Sequence, residues 1–361
     1  MRIGFDAKRY LNNATGLGNY SRELVHAYAK QFPDDKIFLI SGNPEDANRK
    51  HDLPNIQFAA PKSKKRLFRV WSCYRLLNDL QLDVYHGLSN EIPFSAKRIN
   101  AKLACTIHDV IFKHFPGYYN FWDRVIYNQK TKFALAKSQG VITTSNTTKT
   151  DLEKLYKNSS APLTTIYQTI NSRFLENPKA RNVDLSIYKH FVYVSTFNKR
   201  KNHSILIEAF HKMHKQTNRN LILIGSIGEE LENIKALIDS LNLNKRVFIY
   251  PNADADFIKE TIASAIAFIY PSFYEGFGIP LIEAAALGTP IAASNISIFK
   301  EIGGDDITYF HPNKSIQMAD IMLKMEDAEY NFEMSQKLKG IVAKSDPIAS
   351  SQKLREVYLA V

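Results

Sequence analysis

The chain has 361 residues, 45% hydrophobic and 23% charged, a balance that excludes disordered and fibrous classes and, by length, suits two ordinary domains. No apolar run reaches the roughly 18 residues of a spanning helix, and the two cysteines, Cys73 and Cys105, lack metal-ligand spacing and read as reduced, buried thiols of a cytosolic protein. The net charge of +11 is lopsided: residues 1–175 hold 26 basic against 14 acidic side chains and residues 176–361 hold 21 against 22, so the first half is expected to meet something anionic.

In chain order, MRIGFDAKRY carries Asp6 and Lys8 inside its apolar run and reads as a first core strand, not a secretory signal. NATGLGNYSRE then places Gly16 and Gly18 ahead of a helical pattern, NYSRELVHAYAKQF, with Tyr20, Leu24, Ala27 and Tyr28 on its apolar side. The glycine fingerprint is partial, since position 21 is serine. KIFLIS, VYHGLS, KLACTIH and GVITTS are further strands, alternating with helices as a parallel α/β sheet requires. His108 and Asp109 in TIHDVIFKHFP stand at the carboxyl end of one of them, where ligand-facing residues emerge in such sheets. Residues 61–77, PKSKKRLFRVWSCYRLL, mix Lys62, Lys64, Lys65, Arg66, Arg69 and Arg75 with Leu67, Phe68, Val70 and Trp71. Two readings stay open: a basic segment lying on anionic lipid, or a surface helix packing its apolar stripe on the first domain. Nucleic acid is not expected, because no nucleic-acid motif accompanies the charge.

Residues near 172–190 lack helical periodicity and read as a linker, after which the pattern restarts with FVYVSTF, NLILIGS, RVFIYP, AIAFIYPS and PIAAS. FVYVSTFNKRKNH sets Arg200, Lys201 and Asn202 between a strand and the helix SILIEAFHKMH, where cations can clamp a diphosphate, a solvated basic loop being the alternative reading. Asp254 and Asp256 of DADF tempt a metal assignment, but carboxylates there serve the free amides of the helix that follows. In YEGFGIPLIEAAALGTP, Pro280 suits the first turn of a helix and Gly288 its stop, predicting a helix over 279–287. Glu275 precedes that helix and Glu283 lies one turn inside it, two carboxylates in an otherwise apolar stretch and able to accept hydrogen bonds from ligand hydroxyls.

Together GLGNYSREL, DVYHGLSNEIP, TIHDVIFKHFP, GVITTSNTTKTDL, STFNKRKNHSILIEAF and YPSFYEGFGIPLIEAAALGTPIAAS resemble, in order, the retaining glycosyltransferases of family 4, also called group 1. The E-x7-E spacing of Glu275 and Glu283, beside the KRKN loop, is the most specific part. The resemblance implies an α/β protein of two doubly wound Rossmann-like domains facing across a cleft, the GT-B fold. It implies residues 1–175 as acceptor-binding domain, 176–340 as nucleotide-sugar-binding domain and 341–361 as a helix returning to the first. It implies a metal-independent hexosyltransferase without cofactor, using a nucleoside-diphosphate sugar and a glycan or lipid-linked acceptor in cell-surface polysaccharide synthesis. Apart from the resemblance, the charge excess and the basic segment give two places, the cytoplasm or the inner face of the membrane with 61–77 as the peripheral contact.

By the same resemblance His108 stands beside the transferred sugar and Glu275 holds its hydroxyls with the amides around Phe277, Gly278 and Ile279. Glu283 binds the ribose, Arg200 and Lys201 neutralise the diphosphate, and Gly16 and Gly18 admit phosphate and acceptor. The sequence departs from the family where Ser195-Thr196 replaces glycine-threonine, in IYQTINSRF, and after RVFIYP, where turn glycines are usual. Two rival readings follow: a GT-B-fold sugar-nucleotide epimerase, and a non-catalytic sugar-nucleotide-binding relative.

Overall fold

The computed structural model describes all residues except 14–15, 65–66, 158, 160 and 177–188. Most of the expected linker, the residues just before Gly16, and Lys65 and Arg66 therefore lie outside the described residues. The chain forms two compact units, Met1–Thr169 with Asp346–Val361, and Ile170–Ser345.

The first unit is built on seven parallel strands: β1 (Arg2–Asp6), β2 (Lys36–Ile40), β3 (Ile56–Ala59), β4 (Val84–Gly87), β5 (Lys102–Ile107), β6 (Gly140–Thr143) and β7 (Leu163–Thr165). They lie in the order β3-β2-β1-β4-β5-β6-β7. The second unit has β8 (His190–Val194), β9 (Asn220–Gly225), β10 (Val247–Pro251), β11 (Ala267–Tyr270), β12 (Ile291–Ser294) and β13 (Thr308–Phe310), in the order β10-β9-β8-β11-β12-β13. Central strands of a parallel sheet are covered on both faces, which is why FVYV and AFIY are continuously apolar. Ile3, Phe5, Phe191, Val192, Phe268 and Ile269 are fully buried, each withdrawal from water contributing roughly 1.5–3 kcal/mol. In each sheet the strand order reverses beside the first strand, between β1 and β4 and between β8 and β11. Loops leaving such strands diverge and open a crevice at their carboxyl ends.

Every strand expected from sequence is present. Those not foreseen, β3, β7 and β13, are all sheet edges of three or four residues, paired on one side only and partly exposed. Such strands need no apolar run, so the pattern that reveals a central strand is missing from them. Cys73 and Cys105 are buried and free.

The final helix, Pro347–Ala360, packs on the helix Gly16–Gln31 of the first unit. Tyr358 reaches the fully buried His86, with its hydroxyl 2.6 Å from Nδ1, and Arg355 pairs with Asp35 at 2.7 Å. Burial drives the His86 pKa down to about 3, so this ring is neutral in the core.

The described residues of segment 61–77 do not form one amphipathic helix. Leu67, left-handed at φ 64°, leads into a π-turn, Phe68–Ser72, and then a short helix, Tyr74–Asp79. Arg69, counted among the lipid-facing cations on sequence, instead turns inward to bond Asp6 and, at 2.7 Å, Glu91. Lys130 bonds the other Glu91 oxygen at 2.5 Å. Burial pushes the Glu91 pKa up, but Arg69 and Lys130 outweigh it and hold it at about 2. The network ties the carboxyl end of β1 to the loop after β4.

Candidate active site

In the second unit the residues singled out by sequence leave the two strands flanking the reversal. After β8 the chain runs through Ser195 to a 3-10 turn, Lys199–Lys201, and Asn202 then turns it into the helix His203–Met213. Asn202 does this in the left-handed region, φ 59°, and its side chain donates to the carbonyls of Pro271 at 3.0 Å and Pro312 at 2.8 Å. The loop is thereby fastened to the one after β11. Tyr193 adds a second tie, its hydroxyl donating to the Lys201 carbonyl and lying 3.0 Å from Ser272 Oγ.

These ties bring Arg200 and Lys201 onto Glu275. Arg200 Nη1 donates to Glu275 Oε2 at 3.0 Å, and Lys201 Nζ and Ser272 Oγ both donate to Oε1, the latter at 2.8 Å. Glu275 and Lys201 are buried, whereas Arg200 is partly open to solvent. Burial by itself pushes the Glu275 pKa up; Lys201 and Arg200, with the hydroxyl of Ser272, reverse this and hold it at about 2. The cluster is two cations around one carboxylate, net +1, set rigidly at the carboxyl end of the sheet. Its chemical capacity is to receive an anion without reorganising.

The helix that follows is Ile279–Ala286, one residue shorter at its end than expected. Gly278 enters it at φ 106°, and a side chain there would sit 3.0 Å from the Phe299 ring. Gly288, φ 70°, ends it with its N–H on the Ala285 carbonyl. Phe277 is buried beside the entry, the amides of Ile279 and its neighbours lie at the helix start, and Glu283 is buried within the helix. Asp254 caps the helix Ala255–Ala263, accepting from the Phe257 amide at 2.8 Å.

Two of the three sites that depart from family glycines have local explanations. Ser195 puts its hydroxyl 3.1 Å from His203 Nε2, and the glycine the packing needs is on the neighbouring strand: a Cβ on Gly225 would fall 1.6 Å from the Ser195 carbonyl oxygen. After β10, Asn252 adopts φ 55°, a conformation asparagine shares with glycine.

In the first unit, His108 follows β5 and is almost wholly buried. Its Nε2 lies 2.9 Å from the Leu88 carbonyl, which only accepts, so the proton sits there, and Nδ1 faces the Gln168 amide nitrogen at 3.3 Å. Burial lowers its pKa, which agrees with a neutral ring. Asp109 does not hydrogen-bond this ring; its carboxylate takes the Ile111 amide. Asn90, left-handed at φ 55°, instead positions the pair, accepting from the His108 amide at 2.9 Å and donating to the Asp109 carbonyl at 3.1 Å. The Tyr20 ring meets His108 edge-on at 4.6 Å. His108 lines a cavity of about 200 Å³ with Arg9, Asn90, Glu91, Tyr119 and Tyr127 among its walls.

Gly16 and Gly18 begin the first long helix but differ in kind. A side chain on Gly16 would meet nothing within 4 Å, whereas one on Gly18 would lie 1.7 Å from the Asn13 carbonyl oxygen. Gly18 is therefore required for close backbone approach, and Gly16 leaves its surroundings open.

Sequence reasoning did not single out Tyr193, Ser272, Asn90 or Gln168. Tyr193 looks like any strand aromatic, and Gln168 lies in a segment with no pattern. Asn90 had a faint signal, an asparagine before Glu91-Ile-Pro, where a left-handed turn residue belongs.

Two family profiles match the chain, Glycosyltransferase Family 4 over residues 14–174 and Glycosyl transferases group 1 over residues 179–341. Among curated proteins it is 26% identical to O-antigen chain mannosyltransferase B of Escherichia coli over 87% of both chains. It is 25% identical to O-antigen chain mannosyltransferase RfbU of Salmonella typhimurium over 85% of this chain and 86% of that one. Among solved structures, sucrose-phosphate synthase of Thermosynechococcus elongatus superimposes with a TM-score of 0.77 at 18% identity, over 99% of this chain and 98% of that one. The Anabaena protein HepE, solved with UDP and glucose, does so at 0.73 and 17% identity over the whole of both.

Proposed function

The chain belongs to glycosyltransferase family 4 and has the GT-B fold, and from that premise we propose that it moves a hexose from a nucleoside-diphosphate sugar to a hydroxyl of a glycan or lipid-linked acceptor, with retention, in cell-surface polysaccharide synthesis. The observation that carries the donor half is the Arg200–Lys201–Glu275 cluster at the strand reversal of the second unit. Breaking the anomeric C–O bond puts negative charge on the departing diphosphate. Two fixed cations, which with Glu275 leave the cluster a net charge of +1, stabilise that charge as it develops, in surroundings drier than bulk water.

In this reading Arg200, the more exposed of the two, meets the diphosphate, while Lys201 is held behind it by Glu275 and the Tyr193 tie. The second Glu275 oxygen also faces sugar hydroxyls once donor enters, and Glu283 serves the nucleoside ribose. The amides of Phe277, Gly278 and Ile279 complete the sugar contacts. These cations supply the charge for which other transferases use a divalent metal. His108, neutral and with its proton fixed on Nε2, lines the acceptor cavity as a polar wall rather than as a strong base. Gly16 leaves room beside that region for the phosphate and acceptor. Because the two relatives named above are mannosyltransferases of O-antigen chains, mannose heads the donors to try.

The test is a thermal-shift screen of UDP-, GDP- and ADP-sugars, followed by transfer assays with EDTA present and NMR of the product's anomeric configuration. A donor that binds only the folded state raises Tm by mass action. One stabilising donor, EDTA-resistant turnover and loss of that turnover in Arg200→Ala support the reading. Donor consumption without acceptor, giving an epimerised sugar, supports the epimerase instead; binding without turnover supports the non-catalytic relative.

A further inference from the structure

The solvent side of the helix Phe121–Lys137 is built of the wrong residues for water. At about 100° per residue, Phe121, Trp122, Val125 and Ile126 share one arc of about 140°. They are 60%, 71%, 37% and 47% exposed, while Thr131, Ala134 and Leu135 bury the opposite side. A scattered exposed leucine means little, but four large apolar groups on the outer side of two successive turns do need an occupant. The strip continues: Phe133, on the same side of the helix, meets Phe94 edge-on at 4.9 Å, and Phe94 meets Trp71 at 5.6 Å. Trp71 and its neighbour Leu67 are more than half exposed. Both tryptophans of the chain are thus exposed, Trp122 on this helix and Trp71 beyond the partly buried rings of Phe133 and Phe94.

Cations frame it. The Arg124 guanidinium lies 5.8 Å from the Phe121 ring centre, and Lys132 is exposed on the same helix. Beyond Trp71, Tyr74 carries Arg98 over its ring at 4.0 Å and Arg75 at 5.7 Å, with exposed Lys97 alongside Arg98. Tryptophan, phenylalanine and isoleucine ringed by Arg and Lys, on the half of the chain that carries a net +12, complement an anionic bilayer surface better than a protein partner of either sign. The inner side of the same helix supplies Tyr127, Lys130 and Thr131 to the cavity that His108 lines. One helix, about 10 Å across, separates that outer surface from the cavity.

We propose that the surface of Phe121, Trp122, Val125, Ile126, Phe133 and Trp71 docks on anionic lipid, and that docking sets the His108 cavity at the bilayer interface to receive a membrane-anchored acceptor. The proposal rests on the transfer reading above for the acceptor's nature, but not for the docking itself. The test uses the full chain carrying Trp71→Phe, which leaves Trp122 as the sole tryptophan reporter. Vesicles of phosphatidylethanolamine with phosphatidylglycerol should shift Trp122 emission to the blue, and acyl chains brominated near the headgroup should quench it. Pure phosphatidylcholine vesicles should do much less, and high salt should weaken the effect. Trp122→Ser with Ile126→Ser should lower vesicle co-sedimentation tenfold or more while leaving the donor-induced Tm shift in place.

An unmoved Trp122 spectrum with no co-sedimentation overturns the proposal. So does concentration-dependent self-association that the double substitution abolishes while vesicles remain unbound, since the occupant is then a second copy of the chain. Vesicle binding without any donor shift leaves the docking intact and sinks the transfer reading; a donor shift without vesicle binding does the reverse.

Discussion

Replacing Glu275 by Gln removes the one negative charge from a buried cluster while keeping its shape. At neutral pH the carboxylate is held at about 2 against an ordinary value of 4.5, and that difference corresponds to about 3 kcal/mol of folding stability. The sign follows from the depressed pKa: the contribution is complete above the unfolded value and fades only as pH falls toward 2, so at pH 7 it is all present. Glu275→Gln should therefore cost the fold about 3 kcal/mol, chiefly because buried Lys201 loses its counter-charge. Lys201→Met should cost a similar amount by stranding the carboxylate, with Arg200 compensating in part. The double variant should cost well under the sum, with a coupling of about 2 kcal/mol, because residues in one charge network are not additive. Urea unfolding of the four proteins at pH 7, followed by circular dichroism, measures this. Additive costs, or a Glu275→Gln cost below about 1 kcal/mol, would refute the picture of a mutually dependent cluster.

Acid should destabilise both units through buried neutral histidines. His86 in the first and His203 in the second are pushed to about 3 by burial, with His108 and Lys201 respectively adding to the effect. The unfolded chain then binds more protons below about 6.5, so stability is full above that pH and falls toward 3; by pH 5 each ring costs about 2 kcal/mol. His86→Gln should reduce the loss between pH 7 and pH 5 by about that amount, whatever its own cost at pH 7. Gly18→Ala should destabilise by more than about 2 kcal/mol, since its Cβ would overlap the Asn13 carbonyl, whereas Gly16→Ala should be neutral or stabilising by up to about 1 kcal/mol. Denaturant midpoints of the two variants decide it. Asn202→Ala should cost about 2–4 kcal/mol, from a strained left-handed backbone and two buried carbonyls left without their donor; Asn202→Gly should cost less, because only the second loss remains.

The docking surface and the donor cluster show what kind of information sequence lacks. Arg69 sits among lysines and arginines in the chain, and nothing local separates it from its neighbours. It faces inward only because the end of β1 and the loop after β4 carry Asp6 and Glu91 to it. Nothing in the chain marks Phe121, Trp122, Val125 and Ile126 as outward-facing; that follows only because Thr131, Ala134 and Leu135, on the opposite side of the helix, do the packing. Tyr193 and Ser272 became part of the candidate site through bonds between residues 79 positions apart.

The sequence by itself determined the alternation of strands and helices, the central strands of both sheets, the helix start at Pro280 and stop at Gly288, and the set of charged residues at strand ends. These depend on signals within a few residues: apolar runs for doubly covered strands, helical spacing, and the backbone freedom of glycine or its restriction in proline. Tertiary structure decided the edge strands β3, β7 and β13, the pairing of Arg200 and Lys201 with Glu275, and the proton position on His108. Each of these is set by a partner far away in the chain, and a charge or an apolar face has no fixed role until folding chooses what it meets.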